Sequence, residues 1–210
     1  MKVIEGNLYR NFKRGTDYVV LTIGSDADVV GRSMVTYQAI DDGKVYTREL
    51  VSFTERFEHV GRLSRRTYFH INVRSVAFRG TCSRRKVGAI AVLGKRILAT
   101  GYNGAPEGSP HCNHEAYDED KLDPDLLVIN GRYSCARAVH AEMNVVGQAA
   151  KYGVSLKGST VFCDTYPCLN CLKAMLSAGV VAVDFMSDYT NDPMVEKIAS
   201  ETGFVINNRD

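Results

Sequence analysis

The 210-residue chain is 45% hydrophobic and 24% charged, enough apolar content to bury a core in one domain, or in a domain plus a small module. Its 26 basic and 24 acidic residues leave a net charge of +2, mixed along the chain, so the broad cationic footprint of a long-nucleic-acid binder is missing. The longest apolar runs, at 87–93 and 180–185, fall far short of the roughly 18 residues a spanning helix needs. The opening MKVIEGNLYRNFKRG lacks the apolar stretch and small-residue cleavage site of a secretory signal, so a cytoplasmic protein with no membrane partner is expected.

Three β-rich runs come first, DYVVLTIG, SMVTYQAI and KVYTREL, separated by SDADVVGR and DDGK, the punctuation of antiparallel hairpins. VSFTERF closes them as a short helix or turn. The expectation is a small β-rich module over residues 1–58, a packing or oligomerisation element because no catalytic constellation lies in it. From His59 the pattern turns helical, with Val60, Leu63, Tyr68, Ile71, Val76 and Phe78 set among charges. KVGAIAVLGKRILATGYNG then reads as a hairpin with a tight Gly-Lys turn. Residues 104–132 are a long irregular stretch, of the kind that is functional or disordered. A helix is expected from about Cys135 to Tyr152, stopped by Gly153. STVFCDTYP, VVAVDFMSD and FVINN read as strands alternating with the helices CLNCLKAMLSAG and PMVEKIASETG. Strands alternating with helices pair in parallel, so residues 59–210 are expected to form a three-layer α/β/α sandwich with a mixed five-stranded sheet.

Six cysteines, at 82, 112, 135, 163, 168 and 171, lie in the later part of the chain, and a reducing compartment favours metal binding or buried thiols over disulfides. Cys163, inside the apolar run STVFC, reads as a plain strand residue. Cys168 and Cys171 form Pro-Cys-x-x-Cys at the start of a helix, where backbone amides favour thiolates. A catalytic zinc needs three protein ligands and an open position, and His140 with Cys168 and Cys171 supplies an imidazole and two thiolates. Glu142 is then free to move protons. Residues at i and i+2 of a helix diverge by about 200°, so His140 and Glu142 edge one pocket only if the helix begins near His140. The order H-A-E followed by P-C-x-x-C is the signature of zinc deaminases.

The segments TCSRRKVGAIAVLGKRILATGYNGAPEGSPHC and CARAVHAEMNVVGQAAKYGVSLKGSTVFCDTYPCLNCLKAMLSAGV, with the closing strand-helix-strand, resemble the deoxycytidylate deaminase family over about residues 60–207. The resemblance implies a cytidine-deaminase-like fold, a catalytic zinc, and hydrolysis of dCMP to dUMP and ammonia, which feeds thymidylate synthesis. It makes Glu142 the proton shuttle. It also implies substrate contacts at Asn103, which meets the sugar unless it is only a turn residue, and at Ala141. Lys86, within SRRK, and Tyr189 fit positions near the phosphate, against the alternatives of a solvated charge run and a packed strand-end tyrosine. In part of this family cysteines matching Cys82, Cys112 and Cys135 bind a second, structural zinc; His114 or His111 would complete it, the alternative being three buried thiols. Homohexamers activated by dCTP, with Mg2+ accompanying that effector, and inhibited by dTTP are the regulatory expectation.

The first residues, through YRNFK, VTYQAIDDGKVYTREL and FTERF, resemble a short module of unknown function found alone or fused in bacterial and phage proteins. The competing readings are a deaminase of 5-substituted dCMP, an RNA-directed or free-cytidine deaminase, and an inactive zinc-binding regulatory module. Balanced charge disfavours an RNA substrate, and Glu142 disfavours the inactive module, because a structural metal site has no use for a general base.

Overall fold

The computed structural model describes residues 1–112, 126–129, 132–188 and 192–208. The chain divides into two compact units, Met1–Ile71 and Asn72–Asp210. In the first, strands β1 (Asn7–Asn11), β2 (Asp17–Ser25), β3 (Ser33–Ala39), β4 (Val45–Glu49) and β5 (Phe57–Arg62) form an antiparallel sheet in the order β4-β3-β2-β1-β5. The three runs read as strands are β2, β3 and β4, and VSFTERF holds the short helix α1 (Leu50–Thr54). Alternation sends Tyr18, Val20, Val35, Tyr37 and Ala39 to one face, where they bury with Tyr9, Phe53 and Phe57 in a largely aromatic core. The other face buries Leu8, Val19 and Ile40, with Leu63 and Ile71 packed against them.

The helical pattern read from His59 begins instead at α2 (Arg65–Ala77), and the residues before it are strand β5. Pairing with β1 overrides the helix-like spacing of Val60 and Leu63. The register runs Leu8 to Gly61 and Tyr9 to His59, which leaves Val60 as a bulge beside Gly61 at φ 120°, a conformation that disfavours any residue with a Cβ.

The second unit continues with β6 (Gly88–Leu93), β7 (Arg96–Tyr102), β8 (Leu126–Ile129), β9 (Arg132–Cys135), α3 (Ala141–Lys151), β10 (Thr160–Thr165), α4 (Leu169–Ser177), β11 (Ala182–Ser187), α5 (Pro193–Thr202) and β12 (Val205–Asn208). Its five-stranded sheet has the order β12-β11-β10-β6-β7; β10, β11 and β12 are parallel, and β6 is antiparallel to both neighbours. The mixed sheet is the expected one. Two boundaries differ. Part of the stretch read as irregular forms the ladder β8–β9, and α3 starts at Ala141 and not near Cys135. Gly104 and Val139 exchange backbone hydrogen bonds of 3.1 and 2.8 Å, which commits the Val139 amide to a β-bridge and denies it to a helix.

Two glycines set the layering. Ala89 pairs with Gly101 across β6 and β7, so Gly88 faces the opposite side of the sheet. A Cβ at Gly101 would strike the Ala141 carbonyl and Val145 amide of α3, and one at Gly88 would strike the Val73 carbonyl and Ala77 amide of α2. The two helices therefore press on opposite faces. The α3 side carries the main core, where Ala89, Ala91 and Val183 pack with Val145, Leu172, Met175 and Val195. Edge strand β7 is tied to α3: the Thr100 amide donates to Gln148 Oε1 at 2.7 Å, and Asn144 Nδ2 donates to the Tyr102 carbonyl at 2.7 Å. Gly101→Ala is expected to destabilise the fold by about 1–3 kcal/mol, the usual range for overpacking, and thermal melting of the purified chain would show a midpoint several degrees lower.

Candidate active site

The sequence-derived pocket requires the helix to begin at His140, and it does. His140 is the N-cap of α3 with extended backbone, φ −69° and ψ 153°, and Glu142 lies in the first turn. Cys168 is the N-cap of α4, φ −77° and ψ 165°, with Cys171 in that helix's first turn. Neither N-cap side chain bonds its helix amides, unlike Asp192, which caps α5 by accepting from the Met194 amide. Two capping positions worth about 1 kcal/mol each to an ordinary helix are thus given to metal-ligand types.

His140 Nδ1 lies 3.5 Å from the Sγ atoms of both Cys168 and Cys171. Among the described residues this trio is the group of possible ligands whose donor atoms all lie within 4.8 Å of one another. Zinc bonds of roughly 2.0–2.1 Å to nitrogen and 2.3 Å to sulfur give a tetrahedral N···S edge of about 3.5–3.6 Å, so the donor set fits zinc in kind and in spacing. The Cys168 thiol is pulled down to about 4, first by its hydrogen bond with Cys171 and then by His140. Cys171 is pushed up by the same partnership and by burial, and His140 is raised to about 9 chiefly through Cys168. The three groups thus compete for the same protons, which a divalent cation would displace. Glu142 is 4% exposed, and burial raises its carboxyl above the ordinary range, which suits a group that must hold a proton and release it.

Asn103 and Lys86 fall at the end of the sheet where β6 begins. Asn103 follows β7, and its side chain is a clamp: Oδ1 accepts from the Val87 amide at 2.8 Å and Nδ2 donates to the Arg85 carbonyl at 2.8 Å. One amide hydrogen and part of the oxygen's accepting capacity remain. Ala141 is fully buried where α3 meets Gly101. Lys86 is exposed, with Nζ 3.4 Å from the Phe78 carbonyl. Tyr189 and His114 lie outside the described residues, and His111 is exposed. Cys82 and Cys112 are buried and Cys135 half-buried. The Cys112 thiol is pushed up to about 12, first by burial and then by hydrogen bonding with Cys135 and Cys82. Cys163 is a buried strand residue, donating to the Thr165 carbonyl at 2.9 Å.

Sequence reading missed a lacing of strand ends beside the trio. Asp164 Oδ2 accepts from the Gly88 amide at 2.7 Å, Ser187 Oγ donates to the Asp164 carbonyl at 2.9 Å, and Arg85 Nη2 donates to Ser187 Oγ at 3.4 Å. The only sequence sign of it is an aspartate closing an apolar run.

Two helix N-termini bringing an imidazole and two thiols together over a mixed sheet, with a buried glutamate beside them, define a zinc deaminase. In agreement, residues 64–187 match the cytidine and deoxycytidylate deaminase zinc-binding region, and the chain belongs to that family. Residues 7–68 match a protein family of unknown function, DUF1653. Among relatives, ComE operon protein 2 of Bacillus subtilis is 35% identical over 145 residues, covering 69% of this chain and 71% of that protein. The deoxycytidylate deaminase of Schizosaccharomyces pombe is 30% identical over 143 residues, 65% of this chain but 41% of that longer protein. The dCMP deaminase of cyanophage S-TIM5, solved with dCMP and dUMP, superposes with a TM-score of 0.53 at 28% identity, covering 66% of this chain and 92% of that one. Cys171→Ser is expected to lower bound zinc by about an equivalent per chain relative to the parent protein, read by elemental analysis of protein purified without chelator.

Proposed function

We propose that this protein hydrolyses dCMP to dUMP and ammonia. The observation that carries the reading is Glu142, a buried carboxyl with a raised pKa beside the trio His140, Cys168 and Cys171. The relatives named deoxycytidylate deaminase, and the phage enzyme solved with dCMP and dUMP, support the choice of substrate. His140, Cys168 and Cys171 would hold the zinc, which would supply the Lewis acidity that makes water a nucleophile near neutral pH. Glu142 takes a proton from that water and passes it to ring N3, leaving C4 open to attack by the oxygen. The same carboxyl then carries the water's second proton to the departing amine as the C4–N bond breaks, so ammonia leaves and the new C4 oxygen becomes the carbonyl of dUMP.

Around this centre we assign Asn103 to the sugar, Ala141 to the base, and Lys86 with Tyr189 to the phosphate, roles that rest on family likeness. A second, structural zinc on Cys82, Cys112 and Cys135, completed by His114 or His111, is supported by the interaction of the Cys112 thiol with both other cysteines. Activation by dCTP with Mg2+, inhibition by dTTP, assembly as a homohexamer and a cytoplasmic setting complete the reading by family likeness. Among the described residues no helix is long and apolar enough to cross a membrane. Residues 1–58 are assigned to the fused module and 59–210 to the catalytic domain.

The test is ammonia release from dCMP, deoxycytidine, CMP and 5-substituted dCMP by zinc-loaded protein, with and without dCTP. Turnover confined to the deoxymononucleotides is expected, and folded, zinc-bound protein that turns over none of the four would overturn the reading. Glu142→Gln should keep zinc and the melting midpoint but lose at least about 100-fold in kcat; a variant retaining a tenth of the activity would remove Glu142 from this role.

A further inference from the structure

The N-terminal unit has a cavity of about 300 Å³ that the deaminase reading leaves unused. Its floor is aromatic: Tyr18, Tyr37 and Phe57, buried rings of the module's core, line it from below. The half-buried Tyr46 stacks on Tyr37 with centroids 5.7 Å apart. At the lip stands Phe12, 61% exposed, an aromatic ring the core does not use.

The rest of the lining is cationic. Lys13, Arg14, Arg48 and Arg56 border the cavity against a single carboxylate, Glu55. Two of the guanidinium groups have neutral neighbours: Arg48 donates to the Tyr37 hydroxyl and to Ser52 Oγ, both at 3.3 Å, and Arg14 lies by the Tyr18 and Tyr46 hydroxyls, which raise its pKa. Three other cations of the unit meet carboxylates, Arg10 with Asp17, Arg32 with Asp26 and Glu49, and Lys44 with Asp42. Among the described residues the four cavity cations take part in no such ion pair. The loop that carries three lining residues is also pre-formed. Asn11 Oδ1 accepts the amides of Lys13 and Arg14 at 3.0 and 3.1 Å, and the Phe12 amide donates to the Arg56 carbonyl at 3.0 Å, so little ordering remains for a ligand to impose.

Unneutralised guanidinium groups beside exposed rings fit a ligand that is both aromatic and anionic. Arginine forks match phosphate oxygens, phenylalanine and tyrosine faces accept any base, and the volume is that of a small-molecule pocket. We propose that this cavity binds a nucleotide unit, its phosphate against Arg14 and Arg56 and its base against Phe12 and Tyr46. The narrowing from aromatic anion to nucleotide rests on the deaminase reading, since the module is fused to an enzyme of nucleotides. The unit is either a free nucleotide or one residue of a single strand; the chain's balanced charge favours the free form.

The test is calorimetric titration of the full, zinc-loaded chain with dAMP, deoxyadenosine, inorganic phosphate and a short oligodeoxyadenylate, on the parent protein and on Arg14→Gln and Phe12→Ala. Both substituted side chains are exposed, so an unchanged melting midpoint certifies each variant. The expected result is dAMP binding that weakens at least tenfold in both variants, with deoxyadenosine and phosphate each binding far more weakly than dAMP. An oligonucleotide that binds tighter than dAMP, with loss in the same variants, identifies the strand as the source; equal or weaker binding identifies the free nucleotide. No binding of dAMP or oligonucleotide, binding indifferent to both substitutions, or phosphate binding as well as dAMP would overturn the proposal. Binding is read without turnover, so a chain that fails to deaminate dCMP yet binds dAMP through Arg14 refutes the catalytic reading and keeps this one.

Discussion

The second unit is organised around the requirement that two helices begin at one point. His140 and Cys168 are the N-caps of α3 and α4, so each ligand's position is fixed by where a helix starts, and each start is fixed by backbone events outside the helix. For α3 that event is the bridge between Gly104 and Val139, and for α4 it is the end of β10 at Thr165 followed by Pro167. Both helices aim the positive ends of their dipoles at the trio, which favours thiolate over thiol and anion over neutral ligand. The N-cap positions that ordinarily carry capping side chains carry potential metal ligands instead.

Much of this was legible in the sequence where local preference and tertiary structure agree. The strand-helix alternation from Thr160 to Asn208 survives intact because each helix has its own punctuation, Pro167 before α4, Asp192 and Pro193 opening α5, and Gly203 closing it. The start of α3 was misplaced because Cys135, Ala136, Arg137, Ala138 and Val139 continue a helical pattern backwards, and nothing local announces that Val139 pairs with Gly104. Strands β1 and β5 were unreadable for a similar reason. Asn7–Asn11 is short and polar at both ends, and β5 carries a bulge that makes its apolar spacing look helical. The trio itself was legible, since the residue types and the H-A-E and P-C-x-x-C spacings carry the chemistry. The second role of Asn103, clamping the turn into β6, was not, because a turn asparagine and a clamp read alike.

The two units also differ in how they use polar groups. In the second, the buried carboxylate and thiols press on one another, and their pKa values spread in opposite directions. In the first, arginines lie over a floor of tyrosine hydroxyls, an arrangement that leaves charge on display without burying it. Charge is concentrated inward in one unit and presented outward in the other, so electrostatic interactions are strengthened by burial in the second unit and screened by solvent in the first.

The trio has one further property, which concerns the chain when it is not folded. His140 and Cys171 lie 31 positions apart in the sequence, and the intervening residues include all of β10. An ion holding both is a removable cross-link, and by the loop-entropy relation used for disulfides a closure of that length takes between about 3 and 4 kcal/mol of freedom from the disordered chain. That is a large share of the roughly 5–15 kcal/mol by which a typical domain stays folded. Losing the ion would therefore shorten the protein's survival among proteases as well as silence it, and metal supply would set how much of the protein persists.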